Sequence, residues 1–203
     1  MHIYCLLFDD YETLDLMGPV EFLFRIPHAQ LHYVSHTGGA ISSRQGFSVA
    51  TQRLNTLPPD SVLLVPGGQG TRALVGNPDF IRALSDWAQQ AKYCLCVCTG
   101  SALLAKTGLL DGLAATSNKK ALSWVAGVNH QVCWQTSARW TVSGKFYTSS
   151  GVSAGMDMAL AFIADCFGNN LAESIADHAE YIRNRCASHD PFAATAILPE
   201  HAV

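Results

Sequence analysis

The chain is short of charge. Only 14% of its 203 residues are Asp, Glu, Lys or Arg, against 49% hydrophobic, and the net charge is -3. There is no basic stripe, so nucleic acid is not an expected partner. No apolar run approaches the roughly 18 residues of a membrane span. The start, Met1-His2-Ile3-Tyr4, lacks a charged segment followed by a cleavage site, so the expected setting is cytoplasmic and soluble, with no membrane partner. G-x-G-x-x-G and the phosphate-loop lysine are also missing, which leaves nucleotide binding weakly supported. The seven cysteines are an odd number without disulfide-framework or zinc-site spacing, and no metal or organic cofactor is expected. What remains is enough apolar chain for a compact, enzyme-like α/β domain.

The segment KYCLCVCTGSALLAKTGLL, Lys92 to Leu110, organises the rest. Tyr93 to Val97 reads as a strand buried on both faces. It places Cys94, Cys96 and Cys98 on one side, which suits buried thiols. The run stops at Cys98-Thr99-Gly100-Ser101, and a helical pattern closed by Gly108 follows at once. Strand, tight turn with a nucleophilic residue, then helix is the pattern of a nucleophile elbow. A helix N-terminus would favour the Cys98 thiolate. The alternative is that Cys98 is one more buried apolar cysteine.

Other segments alternate in the same way. His2 to Phe8 reads as a first strand and Asp9 to Glu12 as a turn. A helical pattern from Thr13 to Ile26 follows, broken at Gly18-Pro19, with Pro19 placed in a first turn. Asp15 is either a helix-start charge or a carboxylate aimed into a site. Leu31 to Ser35 reads as a strand, and Ile41 to Val49 as a hairpin-like excursion. Ser61 to Val65 is a buried strand before Pro66-Gly67-Gly68-Gln69-Gly70. Those glycines either make a plain turn or turn amides toward a ligand. Asn77-Pro78 is a helix start. Ala114 to Thr116, Val132 to Trp134, Trp140 to Val142 and Phe146 to Ser149 read as strands, with a helix beginning at Ser117-Asn118. Ser150 to Gly155 repeats the strand–small residue–helix theme. Met156 to Phe167 is a buried helix, Asn169 to Cys186 an amphipathic one, and Ser188 to Val203 a strap with a frayed end. The eight histidines read as surface or structural. The expected architecture is a three-layer α/β sandwich around a mostly parallel sheet, with sites at the carboxyl ends of the strands.

Five motifs then carry a resemblance along almost the whole chain: LDLMGPVEF (Leu14 to Phe22), VPGGQG (Val65 to Gly70), VCTGSALLAKTGLLDG (Val97 to Gly112), AATS (Ala114 to Ser117) and SSGVSAGMDMAL (Ser149 to Leu160). The chain resembles the ThiJ/PfpI superfamily, and within it the isocyanide (isonitrile) hydratase branch. The resemblance implies a single flavodoxin-like domain over residues 1–203, of the class I glutamine amidotransferase type, and a homodimer acting on a small-molecule substrate. It implies Cys98 as nucleophile and Asp15 as acid/base. Thr99 would supply a hydroxyl and an amide. The Gly67 and Gly68 amides would hold developing negative charge, and Val152 and Ser153 would form pocket wall. It also implies hydro-lyase chemistry, with isocyanides converted to N-substituted formamides through a thioimidate. One position departs from the pattern: Asn118 stands where many relatives have a His. That argues against a Cys–His–acid triad and opens the pocket to a different substrate. A glyoxalase- or deglycase-like enzyme on reactive carbonyls and a non-catalytic cysteine sensor of oxidation are the competing readings. A transcription regulator ranks last, because 203 residues leave no room for a helix-turn-helix domain.

Overall fold

The computed structural model describes residues 1–196. Its frame is an eight-stranded sheet built from β1 (His2–Leu7), β2 (Gln30–Ser35), β3 (Gly39–Ser42), β4 (Ser48–Arg53), β5 (Val62–Val65), β6 (Tyr93–Cys96), β9 (Trp140–Ser143) and β10 (Phe146–Ser149). The order is β3-β4-β2-β1-β5-β6-β10-β9. The six inner strands run parallel, and only the edge strands β3 and β9 are antiparallel. The short strands β7 (Ala114–Ala115) and β8 (Cys133–Trp134) pair with each other outside this sheet. The helices are α1 (Thr13–Leu23), α2 (Thr71–Leu74), α3 (Pro78–Gln90), α4 (Gly100–Lys106), α5 (Leu122–Val128), α6 (Ala154–Phe167) and α7 (Asn169–His178). One helical group is α1, α6 and α7; the other is α2 to α5. No helix among the described residues is long and apolar enough to cross a membrane.

The central strands are apolar because helices cover both faces of the sheet. Ile3, Leu6, Leu63, Leu64 and Leu95 are fully buried, and all four residues of β5 are buried. Cys94 and Cys96 share a strand face, with their sulfurs 3.8 Å apart. Asn77 caps α3 as expected, its side chain accepting from the amides of Asp79 and Phe80 at 3.1 Å each.

The structure differs from the sequence reading in two helices. Gly18-Pro19 does not break α1, and Pro19 lies inside it. A mid-helix proline removes one hydrogen bond and costs about 3 kcal/mol in isolation. Here burial overrides that cost, because α1 packs along α6 and Gly18 lets them close: a Cβ on Gly18 would stand 2.7 Å from Met156 Cγ. The second difference is α7, which ends at His178, not Cys186. Glu180 takes a φ of 51°, and the Tyr181 amide donates back to Ala176 O at 2.9 Å, a left-handed helix stop. Asp157 on α6 then takes the Tyr181 hydroxyl (3.1 Å) and the Asn184 amide (2.9 Å), which leads the chain off the helical path. Ile182, expected on an apolar face, is 95% exposed. The expected frayed end from residue 197 onward lies outside the described residues.

Candidate active site

The strand order reverses between β1 and β5, and the loops that follow β1, β5, β6 and β10 meet at one edge. Ligands bind at such a switch point, outside the carboxyl ends of the strands. Asp15 enters from the first turn of α1, Gly67 from the loop after β5, Cys98 from the turn after β6, and Val152 from the turn after β10.

Cys98 has a φ of 56°. A non-glycine residue rarely adopts this left-handed conformation, which is the strained backbone of a nucleophile elbow. Local bonds hold it there. The Cys98 amide donates to Ser149 O at 3.2 Å, and its carbonyl accepts from the hydroxyls of Ser101 (2.9 Å) and Ser117 (2.8 Å). The positioning role of those two serines was not evident from sequence, because their small size was the only signal they offered.

Asp15 is fully buried. Its Oδ2 accepts from the Gly67 amide at 3.0 Å. Its Oδ1 has no partner at full hydrogen-bond geometry. The Cys98 thiol makes only a loose bond to this carboxyl, as is common in a resting site. Gly67 is required by space: a Cβ there would lie 2.6 Å from the Thr99 nitrogen and 2.8 Å from Asp15 Oδ2.

The two groups perturb each other. Burial pushes the Asp15 carboxyl up to about 7, against the smaller opposing pull of its bonds to Cys98 and Gly67. Burial, then the Asp15 charge, pushes the Cys98 thiol far above its ordinary range. Both directions run against the expectation that a helix N-terminus favours the thiolate. The amides of Thr99 and Val152 do pull the thiol downward, but burial first and the Asp15 charge second act the other way, and α4 is only two turns long. Burial and the Asp15 charge thus both favour the thiol over the thiolate at Cys98, and burial favours the neutral acid at Asp15.

The remaining expected site residues fall into two groups. The Gly67 and Gly68 amides, expected to hold developing negative charge, already have acceptors. Gly67 serves Asp15, and Gly68 donates to Thr99 Oγ1 at 3.0 Å. The Thr99 hydroxyl is tied down there too, 3.1 Å from Thr71 Oγ1, whose own proton goes to Gly68 O at 2.7 Å. Thr99 thus offers the sulfur its amide and not its hydroxyl. The amides that face the sulfur are those of Thr99 and Val152, and the Val152 amide also serves the Asp15 carboxyl. Val152 sits at a φ of 46°, uncommon for a β-branched residue.

Asn118 does not act as a side-chain acid or base toward Cys98. Its Oδ1 accepts from the Ala121 amide at 3.2 Å and starts the turn before α5. Together with Val152 and Ser153 it lines a cavity of about 420 Å³ beside the dyad. Arg72 and Trp124 also lie near the site and were missed from sequence. The guanidinium sits 3.7 Å over the indole, close enough to Cys98 for the sulfur's charge to act on it. Among the described residues, no histidine acts on Cys98 or Asp15. His2 stacks on His32, and His36 packs edge-on to Phe80 and Trp87. No cluster that could hold a metal occurs among the described residues.

Residues 1–165 match the model of the DJ-1/PfpI family. The chain is similar to the isonitrile hydratase of Pseudomonas putida, with 31% identity over 87% of this chain and 76% of that one. It is also similar to the HTH-type transcriptional regulator GbdR of Pseudomonas aeruginosa (strain UCBPP-PA14), with 28% identity over 89% of this chain, and it spans 50% of that protein's length. Among solved structures, a ThiJ/PfpI family protein from Pseudomonas syringae superposes with a TM-score of 0.80 at 27% identity, covering 90% of this chain and 76% of that one.

Proposed function

The chain belongs to the DJ-1/PfpI family, and on that premise we propose that it is a cysteine-dependent hydratase converting isocyanides to N-substituted formamides. The observation that carries this reading is the Cys98–Asp15 pair, which holds a transferable proton with the amides of Thr99 and Val152 gathered at the sulfur. Such a pair is built to add H and S across a small electrophile and then to release it by the reverse proton transfer.

The reaction runs in two additions. Asp15 takes the thiol proton as Cys98 Sγ bonds to the terminal carbon of the isocyanide, and the proton is delivered to that carbon. The product is a thioimidate, R–N=CH–S–Cys. Asp15, again a carboxylate, then draws a proton from water as its oxygen attacks the same carbon, and the nitrogen is protonated. The C–S bond breaks, the thiol recovers its proton, and R–NH–CHO leaves. The sum is one isocyanide plus one water, with no redox change and no cofactor. Amides aimed at the sulfur stabilise the thiolate at the moment it forms, which is worth more in a dry site than in water.

This pair favours hydration over peroxide sensing. Peroxide sensing favours an exposed thiolate, whereas burial and the Asp15 charge both push the Cys98 thiol upward. The reading includes a homodimer, which sedimentation of the purified chain tests. The activity test is conversion of phenyl isocyanide to N-phenylformamide, followed by absorbance, with Cys98→Ala alongside. Saturable turnover lost in the variant supports the reading. Turnover that survives in Cys98→Ala, or none in the parent protein, overturns it.

A further inference from the structure

The cavity beside the dyad has a feature that core packing does not explain. Phe192 is 63% exposed, yet it is held in place over the cavity, with Thr195 beside it. The holding device is Asp190, which is 1% exposed. Asp190 Oδ1 accepts from the Phe192 amide at 2.8 Å, its carbonyl accepts from Ala193, and its own amide donates to Ser137 O at 2.7 Å. Its Oδ2 lacks a hydrogen bond and faces Arg139 Nη1 at 3.8 Å. Arg139 in turn donates through Nε to Asp157 Oδ2 at 2.7 Å, and its amide donates to Ala187 O at 2.7 Å. A buried carboxylate, a buried guanidinium and three backbone bonds thus fix the turn that presents one aromatic ring.

The lining also includes Val152, whose amide acts on both Cys98 and Asp15. Val152 is thus shared by the cavity lining and the surroundings of the dyad. The polar groups around it are mostly committed elsewhere. Asn118 Oδ1 caps the Ala121 amide, and Lys119 Nζ donates to Thr116 Oγ1 and Ala138 O at 2.7 and 2.5 Å. The Ser153 hydroxyl lies 3.5 Å from Arg139 Nη2. What they leave for a ligand is the Phe192 ring, Val152 and the lysine stems. Such a lining takes neutral apolar matter.

We propose that this cavity binds a neutral, apolar substituent, alkyl or aryl, of the electrophile that reacts at Cys98, and that Phe192 is the specificity-determining residue for it. The proposal rests on Cys98 being the nucleophile, but not on the electrophile being an isocyanide.

The test compares the rates at which N-ethylmaleimide and N-benzylmaleimide modify Cys98 in the full chain, read by peptide mass spectrometry. The proteins are the parent, Phe192→Ala, Phe192→Asp and, as a control on another exposed residue, Ile182→Ala. Burial of the extra ring against Phe192 should make the benzyl reagent about tenfold faster in the parent. Phe192→Asp should bring the two rates together and leave the ethyl reagent nearly unchanged, with Phe192→Ala intermediate and Ile182→Ala like the parent. Equal rates in the parent, or the same preference in Phe192→Asp, overturn the proposal. So does a Cys98 that neither reagent reaches under conditions that label the exposed Cys133 and Cys186. A parallel measurement of KM for phenyl against methyl isocyanide separates the two claims. If no variant turns over either one, the hydratase reading fails while the labelling ratios still decide the cavity.

Discussion

Cys98 and Val152 each stand two residues before the helix that follows one of two neighbouring parallel strands, both in the left-handed backbone region at φ 56° and 46°. Each opens a helix, α4 or α6. The first elbow presents a side chain and the second presents an amide. The Ser149 carbonyl, just before the second elbow, accepts the Cys98 amide at 3.2 Å, so the two turns are joined. Strain at two non-glycine residues is a cost the fold carries to bring a sulfur and a donor face to face.

Val152→Gly should relieve that strain while keeping the amide. The substitution also adds freedom to the unfolded chain and removes a half-buried side chain, both of which subtract from the gain. We expect unfolding in urea to show a net stabilisation of up to about 1 kcal/mol, with Cys98 still reactive. A loss of stability would mean that Val152 packing outweighs its backbone strain.

Asp15→Asn should make Cys98 easier to label while lowering turnover. The Asp15 charge and its hydrogen bond both raise the Cys98 thiol, so without them the pH at which iodoacetamide begins to label Cys98 should fall. Turnover should nevertheless drop about 10²- to 10⁴-fold, because the proton shuttle is gone. If labelling shifts to higher pH, the carboxylate does not sit against the sulfur as described.

Stability should depend on pH through Asp15. Its carboxyl is raised from the ordinary 3.8 to about 7. Between those values the native state holds a proton that the unfolded chain has released. Its contribution is therefore fully present below about pH 4 and is lost as pH rises through about 7. Three pKa units set a ceiling of about 4 kcal/mol on the effect. Urea unfolding from pH 4 to 8 should show the decline in the parent protein and a flatter profile in Asp15→Asn. Identical profiles would contradict the raised carboxyl.

Arg139→Met should be among the most damaging substitutions away from the dyad. It would strand Asp157 and Asp190, both about 1% exposed, without their guanidinium. Breaking a buried pair from one side costs about 3–5 kcal/mol. A drop of that size in the urea-derived stability is expected. The double variant Arg139→Met/Asp157→Asn should recover part of it, and no recovery would mean that the loss is not due to the uncompensated charge.

Much of this was legible in the chain itself. Apolar runs without Gly or Pro marked β1, β5 and β6, since a strand covered on both faces has to be apolar throughout. Asn77-Pro78 marked the start of α3 because capping is a local interaction. The small residues after Val97 marked the elbow, since a strand can turn straight into a helix only where the side chains are small. Pro19 misled because local propensity knows nothing of α6. Residues 179–186 misled because the Asp157 carboxylate that diverts them lies more than twenty residues away in sequence. For the same reason, neither Phe192 nor Arg139 carried a signal of its own.

The sequence by itself determined the layered α/β architecture, the family and the candidate pair Cys98 and Asp15, because these follow from periodicity and short motifs. Only the tertiary structure decided the protonation logic of the site. It set which amides face the sulfur, that those of Gly67 and Gly68 are already engaged, and that burial and the Asp15 charge push the Cys98 thiol upward. Burial and the distance between charges fix a pKa, and both are properties of space that residue order along the chain does not contain.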